Sequence, residues 1–175
     1  MNLHIKQTKY ENSYKEGKRV EELFIQHFHQ IFGHSCFEST QAMNIHKHID
    51  CYCFTKKSEM FTFDIKGLKK INRKDKEITE DYHWIEIQNV LGKPGWIYGE
   101  ADYIVFELLE KWLFIERPKL IQLVNEVKID SFTYPPEPYK LYTRKKFGRD
   151  DICMLIPTKE LLKIGISKPK PKTNE

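Results

Sequence analysis

The sequence predicts a single α/β domain, because segments with helical spacing of apolar residues alternate with strand-like segments. The chain has 175 residues, enough to bury one sizeable core but short for two domains. Apolar residues make up 40% and charged residues 31%, which excludes disordered and fibrous classes. We therefore expect one domain over residues 1–165 and a disordered basic tail over residues 166–175.

The first predicted element is an amphipathic helix over Ser13–Phe32. Its apolar residues recur at helical spacing, and Gly33 is well suited to end it. Glu21 lies about 60° around the helix from the apolar stripe, whereas Glu22 points to the far side. Of these two glutamates, only Glu21 is placed so that its side chain can point toward the sheet.

A hairpin follows, with strands over Ile49–Thr55 and Met60–Ile65 joined by the polar turn KKSE. If the hairpin is centred on the second lysine of this turn, Asp50 faces Asp64 across the ladder. Opposed Cβ atoms lie about 4.5 to 5.5 Å apart, so these carboxylates repel each other unless a cation lies between them. Lys66 is two residues beyond Asp64 and therefore projects from the same face of the strand.

The rest of the chain predicts three more strand regions and two helices. They are a strand at 82–90, a hairpin at 102–116, a helix from Pro118 to about Val127, a strand at 150–157, and a short helix at Thr158–Lys163 with Thr158 as its N-cap. Lys69–Asp81 and the YPPEPYK stretch read as loops, and KLYTRKKF as an edge strand or exposed loop.

Asp50, Asp64 and Lys66 together provide the groups that metal-dependent phosphodiester hydrolysis needs. Divalent cations of this kind bind carboxylate and carbonyl oxygens, and the carbonyl of Ile65 lies between the second acid and the lysine. A lysine beside the scissile phosphate stabilises developing charge or helps to deprotonate the attacking water. The alternative is that both carboxylates end strands and simply face water.

The pattern of Asp50 followed by Asp64-Ile-Lys66, with EGKRVEE on the preceding helix, resembles the PD-(D/E)XK nuclease superfamily, including its phage-encoded and resolvase-like members. The resemblance implies a restriction-endonuclease-like core, in which helices flank a central mixed β-sheet. It also implies a Mg²⁺ or Mn²⁺ cofactor held by Asp50, Asp64, the Ile65 carbonyl and Glu21. Lys66 would join the three acids in catalysis.

Further polar residues are candidates for accessory roles. Glu86 and Gln88 share one face of the third strand, where they would lie beside the metal, contact a phosphate or form a polar outer face. His46 and His48 alternate with Asp50, so a transition-metal site is an alternative to hydrogen-bonding or DNA-facing histidines.

Two basic segments predict contact with the phosphates of a nucleic acid, although such segments are often only solvated faces. The formal net charge of the chain is only +4, so the distribution of charge carries the argument. The candidate nucleic-acid-binding residues are Lys69, Lys70, Arg144, Lys145, Lys146 and Arg149.

These observations predict a metal-dependent DNA endonuclease that lies in the cytoplasm, or in the host cytoplasm if a phage encodes it. No apolar run approaches the roughly 20 residues of a membrane span, and the four cysteines form no CxxC pair and read as reduced thiols. By analogy with nucleases that act on two strands, we expect a homodimer. The alternatives are a nuclease for RNA or branched DNA, and a non-catalytic nucleic-acid-binding or inhibitor protein.

Overall fold

The computed structural model describes residues 3–71, 75–143 and 150–172, with side chains from residue 15 onward. Within these ranges the helices are α1 (Leu3–Phe32), α2 (Gln41–Lys47), α3 (Arg117–Val127) and α4 (Thr158–Ile164), with a 3₁₀ turn at Trp96–Tyr98. The strands are β1 (Cys36–Glu38), β2 (Cys51–Phe54), β3 (Met60–Lys66), β4 (Tyr82–Gln88), β5 (Tyr103–Glu107), β6 (Lys111–Glu116), β7 (Ile129–Phe132), β8 (Lys140–Thr143), β9 (Ile152–Pro157) and β10 (Ile166–Pro169).

The strands form two sheets rather than a single central one. The larger sheet has the order β1-β2-β3-β5-β6-β10 and is mixed, because β3 and β5 are parallel while its other pairs are antiparallel. The smaller sheet has the order β4-β9-β8-β7. The predicted α/β class with a mixed sheet is confirmed. The predicted third strand, β4, lies in the smaller sheet, and β5 takes the place beside β3.

Each face of the larger sheet has its own core. Phe63 and Ile65 of β3 pack with Phe24 and Phe28 of α1 on one face. Alternate residues of β5 and β6 point to the other face, where they pack with α3, α4 and the smaller sheet. Asp64 therefore projects toward the face opposite α1.

Helix α1 is confirmed as an amphipathic helix, although it starts earlier than predicted, at Leu3. It ends where Gly33 takes a φ of +67°, a left-handed conformation that favours glycine. No helix in the described ranges is long and apolar enough to cross a membrane.

The predicted register of the hairpin is confirmed, since Cys51 pairs with Phe63 and Phe54 with Met60. The structure differs at the start of this hairpin, because β2 begins at Cys51 instead of Ile49 and follows a helix, α2, that the sequence does not predict. Thr40 caps this helix by accepting a hydrogen bond from the Met43 N–H at 3.3 Å, and the helix ends at a left-handed His48.

The predicted alternation of His46, His48 and Asp50 along a strand is therefore wrong. His46 belongs to α2, and His48 takes a φ of +53° at the end of that helix. The strand-like reading failed because the N-cap at Thr40 favours a helix over the segment that follows it.

The C-terminal residues also depart from prediction. Ile166–Pro169 form β10 on the edge of β6 instead of starting a disordered tail, and residues 173–175 lie outside the described ranges. Pairing with β10 satisfies backbone groups that would otherwise be exposed on β6. Thr158 is not the N-cap of α4; its hydroxyl donates to the Glu80 carbonyl and so ties the helix to the preceding loop. The described part of KLYTRKKF, Lys140–Thr143, forms β8 between β9 and β7 and so is neither an edge strand nor an exposed loop, and residues 144–147 lie outside the described ranges.

Candidate active site

Asp50 lies where α2, β2 and β3 meet, and its side chain bridges these elements. Its Oδ1 accepts a hydrogen bond from Asn44 Nδ2 and its Oδ2 accepts one from the Ile65 N–H, both at 2.6 Å. Its own N–H donates to the Phe63 carbonyl at 2.8 Å. Strand β2 begins only at Cys51, so the Asp50 carboxylate, instead of a β2 carbonyl, accepts the hydrogen bond from the backbone of β3.

Asp64 is the most enclosed carboxylate of the site, with a side chain that is 1% exposed. Lys66 Nζ lies 2.5 Å from its Oδ1 and Arg117 Nη2 lies 3.8 Å from its Oδ2. Oδ1 is therefore ion-paired with Lys66, although neither oxygen has a hydrogen bond of ordinary geometry among the described residues. Burial, opposed by the charge of Lys66 and reinforced by that of Asp50, raises the pKa of Asp64 to about 7.

Lys66 shares the face of β3 with Asp64, as predicted, and its ammonium lies between a carboxylate and an aromatic ring. Besides the ion pair with Asp64, its Nζ lies 4.8 Å from the centroid of the Trp96 ring. Burial disfavours the charged form, but the carboxylates of Asp64 and Asp50 outweigh it and raise the pKa of Lys66. Lys66 is therefore positively charged at neutral pH.

Arg117 is a residue of the site that the sequence analysis missed. Its Nε donates to the Ala101 carbonyl at 2.6 Å, and its Nη1 donates to the carbonyls of Trp96 and Ile97 at 2.6 and 2.9 Å. The remaining nitrogen, Nη2, is the one beside Asp64, and it has no hydrogen bond among the described residues. The available signal in the sequence was an arginine directly before Pro118, where a predicted strand gives way to a predicted helix.

Trp96 reaches Lys66 because the backbone before it packs directly against β4. The Gly95 N–H donates to the Ile87 carbonyl at 2.9 Å. A Cβ atom at Gly95 would lie 2.2 Å from the Glu86 carbonyl oxygen, so only glycine permits this approach.

Glu21 projects from α1 toward Asp50, as the helix geometry predicts. Its Oε2 lies 3.7 Å from Lys18 Nζ, and its side chain is 19% exposed. Burial, reinforced by the carboxylate of Asp50, raises the pKa of Glu21 to about 7.

The predicted carboxylates form a row rather than a cluster, with Asp50 acting electrostatically on both Glu21 and Asp64. No three His, Cys, Asp or Glu side chains among the described residues are placed to hold a metal ion together. The chemistry of Asp50 and Asp64 nevertheless suits Mg²⁺ or Mn²⁺, which prefer carboxylate oxygens. The buried carboxylate of Asp64 fits such an ion at Oδ2, which has no hydrogen bond among the described residues, while Lys66 is paired with Oδ1.

Two cavities are lined by residues of the candidate site. One, of about 590 Å³, is the acidic cavity, lined by Lys18, Glu21, Glu38, Asn44 and Asp50 among others. The other, of about 200 Å³, is the aromatic cavity, lined by Lys66, Lys69, Lys70, Trp84, Trp96 and Tyr142 among others. One cavity is therefore rich in carboxylates, and the other is lined mainly by basic and aromatic side chains.

The three accessory candidates have different surroundings. Glu86 lines the aromatic cavity, where burial, opposed by the charge of Lys66, raises its pKa. Gln88 lies beyond a register shift in β4 and donates from its Nε2 to the Asp150 carbonyl at 2.6 Å. His48 packs closely against Gly99. Burial, aided by the positive charge of Lys66, lowers the pKa of His48. Only Glu86 shares a cavity with Lys66.

Two of the predicted phosphate-binding residues lie in the described ranges. Lys69 and Lys70 are exposed and line the aromatic cavity, so the structure brings them to the same opening as Lys66. Lys70 Nζ also donates to the Asp75 carbonyl at 2.7 Å. Arg144, Lys145, Lys146 and Arg149 lie outside the described residues.

The raised pKa values predict that the metal-free protein loses stability as the pH rises. Asp64 and Glu21 titrate near 7 when folded and near 4 when unfolded. Between these values the folded state keeps protons that the unfolded state has released, so the free energy of unfolding falls through this window. At about 1.4 kcal/mol per pH unit, Asp64 alone accounts for a loss of a few kcal/mol.

Urea unfolding in EDTA from pH 5 to pH 8 measures this loss. Asp64→Asn should flatten the profile, because the amide does not titrate. Profiles of the same slope for the parent chain and the variant would contradict the raised pKa of Asp64.

Comparisons with protein-family models, with curated proteins and with solved structures give no match to the chain.

Proposed function

We propose that the chain is a metal-dependent DNA endonuclease of the PD-(D/E)XK superfamily, which hydrolyses phosphodiester bonds. The observation that carries the proposal is the buried carboxylate of Asp64, which has no hydrogen bond among the described residues, two cations beside it and Asp50 nearby. A buried carboxylate of this kind is costly unless it serves a function. Metal-assisted hydrolysis is the chemistry that uses this combination of groups.

Asp50, Asp64 and the carbonyl of Ile65 are the groups that would hold Mg²⁺ or Mn²⁺. The bound ion would polarise the phosphate and lower the pKa of a bound water. Asp50 is oriented for this role by Asn44 and by the Ile65 N–H, and Arg117 lies against Asp64.

Lys66 and Glu21 have different roles in the proposed reaction. The raised pKa of Lys66 keeps it protonated, so it stabilises negative charge on the phosphate instead of removing a proton from water. Glu21 lines the acidic cavity with Asp50, and in the metal-free protein its pKa of about 7 allows it to accept or release a proton near neutral pH. Lys69 and Lys70 at the mouth of the aromatic cavity are placed to contact neighbouring phosphates.

Plasmid nicking tests the proposal directly. Supercoiled DNA is incubated with the protein and Mg²⁺, Mn²⁺ or EDTA, and the products are separated on a gel. We expect relaxed and linear plasmid with either metal and unchanged plasmid in EDTA. Absence of cleavage with both metals, by a protein that is folded by circular dichroism, would contradict it.

A second candidate is a non-catalytic nucleic-acid-binding or inhibitor protein. It is favoured by the ion pair of Lys66 with Asp64, which already neutralises the carboxylate, and by the separation of Glu21 from Asp64 across the row. DNA binding in EDTA with no cleavage in either metal would support this candidate. Parallel trials with RNA and four-way junctions would detect a nuclease with a different substrate.

A further inference from the structure

The aromatic cavity differs from an ordinary phosphate-binding surface because its walls are planar rings. Trp84 and Tyr142 lie with their ring centroids 5.4 Å apart at an interplanar angle of 50°, and Trp96 lies beside Lys66. The Trp84 Nε1 donates to the Lys70 carbonyl at 3.3 Å, which fixes the orientation of the indole. Phosphate binding requires none of these rings, whereas nucleobases stack on them.

The cavity also contains polar groups suited to the edge of a base. His83 lines it and is 4% exposed, and its Nε2 has no hydrogen bond among the described residues. Burial lowers the pKa of His83 to about 4, so the ring is neutral at physiological pH and offers a donor and an acceptor nitrogen. Glu86 adds a carboxyl group to the same cavity. His83 Nε2 is buried without a partner among the described residues, and such a nitrogen is costly unless a neighbouring group or a ligand satisfies it.

The size of the cavity limits what it can hold. Its volume of about 200 Å³ is below that of pockets for drug-sized ligands, which are roughly 300 to 1,000 Å³. One planar ring system fits such a space, and a stacked base pair does not. The basic residues Lys66, Lys69 and Lys70 line the same cavity, as the phosphates on either side of a base would require.

We propose that the aromatic cavity binds a single unpaired nucleobase of the substrate strand, beside the phosphate that Lys66 contacts. The inference rests on the proposed nuclease function and narrows its substrate to single-stranded DNA or duplex with an unstacked base. A base inside a continuous duplex would first have to leave the stack, which costs a few kcal/mol. A strand with an unpaired base avoids most of that cost.

Binding measured in EDTA tests the cavity apart from cleavage. The probes are a fluorescein-labelled single strand, the perfect duplex, the duplex with one bulged base, and the same bulge with an abasic nucleotide. We expect the single strand and the bulged duplex to bind about tenfold more tightly than the perfect duplex and the abasic bulge. Equal affinity for the bulged base and its abasic counterpart would overturn the proposal.

Four variants locate the effect. Trp84→Ala should lose the preference for the bulged base, and Trp84→Phe should keep most of it because a ring remains. Phe132→Ala removes an exposed ring from β7 in the same sheet, outside the cavity, and should bind like the parent chain. If Trp84→Ala fails to fold, His83→Gln serves as the test. Loss of the preference for the bulged base in His83→Gln would support the proposal. Retention of that preference would contradict the role of His83 in binding the edge of the base.

Failure of this inference is distinguishable from failure of the proposed function. Metal-dependent nicking with equal affinity for the bulged base and the abasic bulge would support the nuclease function and contradict the base site. Weaker binding of the abasic bulge, without nicking in either metal, would support the base site and contradict the nuclease function.

Discussion

Asp64→Asn should reduce metal-dependent nicking at least about a hundredfold while the protein stays folded. The carboxylate is the most buried acid of the site and lies beside both Lys66 and Arg117. The amide has nearly the same shape, but it binds divalent cations much more weakly than a carboxylate and does not carry charge. The initial rate of plasmid relaxation in Mn²⁺ measures the loss.

Asp130→Asn is the matched control, since Asp130 is an exposed acid of β7 that pairs only with Lys128 among the interactions of the described residues. It should nick plasmid like the parent chain. An Asp64→Asn protein with parental activity would show that Asp64 has no role in hydrolysis. Circular dichroism and the urea midpoint separate loss of activity from loss of structure.

Lys66→Ala should also abolish nicking while leaving Mn²⁺ affinity intact or increased. The ammonium lies 2.5 Å from Asp64 Oδ1, so it competes with a cation for that carboxylate. Removing it takes away the charge that stabilises the phosphate but frees the oxygen for the metal. Isothermal titration with Mn²⁺ measures the affinity, and plasmid nicking measures the activity.

Weaker Mn²⁺ binding by Lys66→Ala would contradict this role and indicate that the lysine organises the metal ligands. Lys163→Ala is the control, because Lys163 is an exposed lysine on α4 with a similar ion pair to Glu160. It should change neither the affinity nor the rate.

The elements that the sequence predicted well are those whose pattern is local. The apolar spacing of α1, the turn between β2 and β3 and the proline at the start of α3 each act over a few residues. The hairpin register followed from the same local geometry, and it correctly placed Asp64 and Lys66 on one face.

The elements that the sequence did not predict depend on contacts between distant segments. Strand β4 pairs with β9, and β10 pairs with β6. These pairings depend on which strand edges remain unpaired in the folded chain, and the alternation of residues along one strand does not identify its partner. For the same reason Arg117 was missed, since its partners at Trp96, Ile97 and Ala101 come together only in the folded chain. Helix α2 was missed for a local reason, because the cap at Thr40 was overlooked.

The bridging position of Asp50 has a consequence for how the site would meet a ligand. Both of its oxygens are already fixed by Asn44 and by the backbone of β3 before anything binds. A side chain held in this way loses little conformational entropy when a ligand arrives, so the site is preorganised. The same hydrogen bonds make Asp50 part of the framework, and its substitution should disturb the fold and the chemistry together.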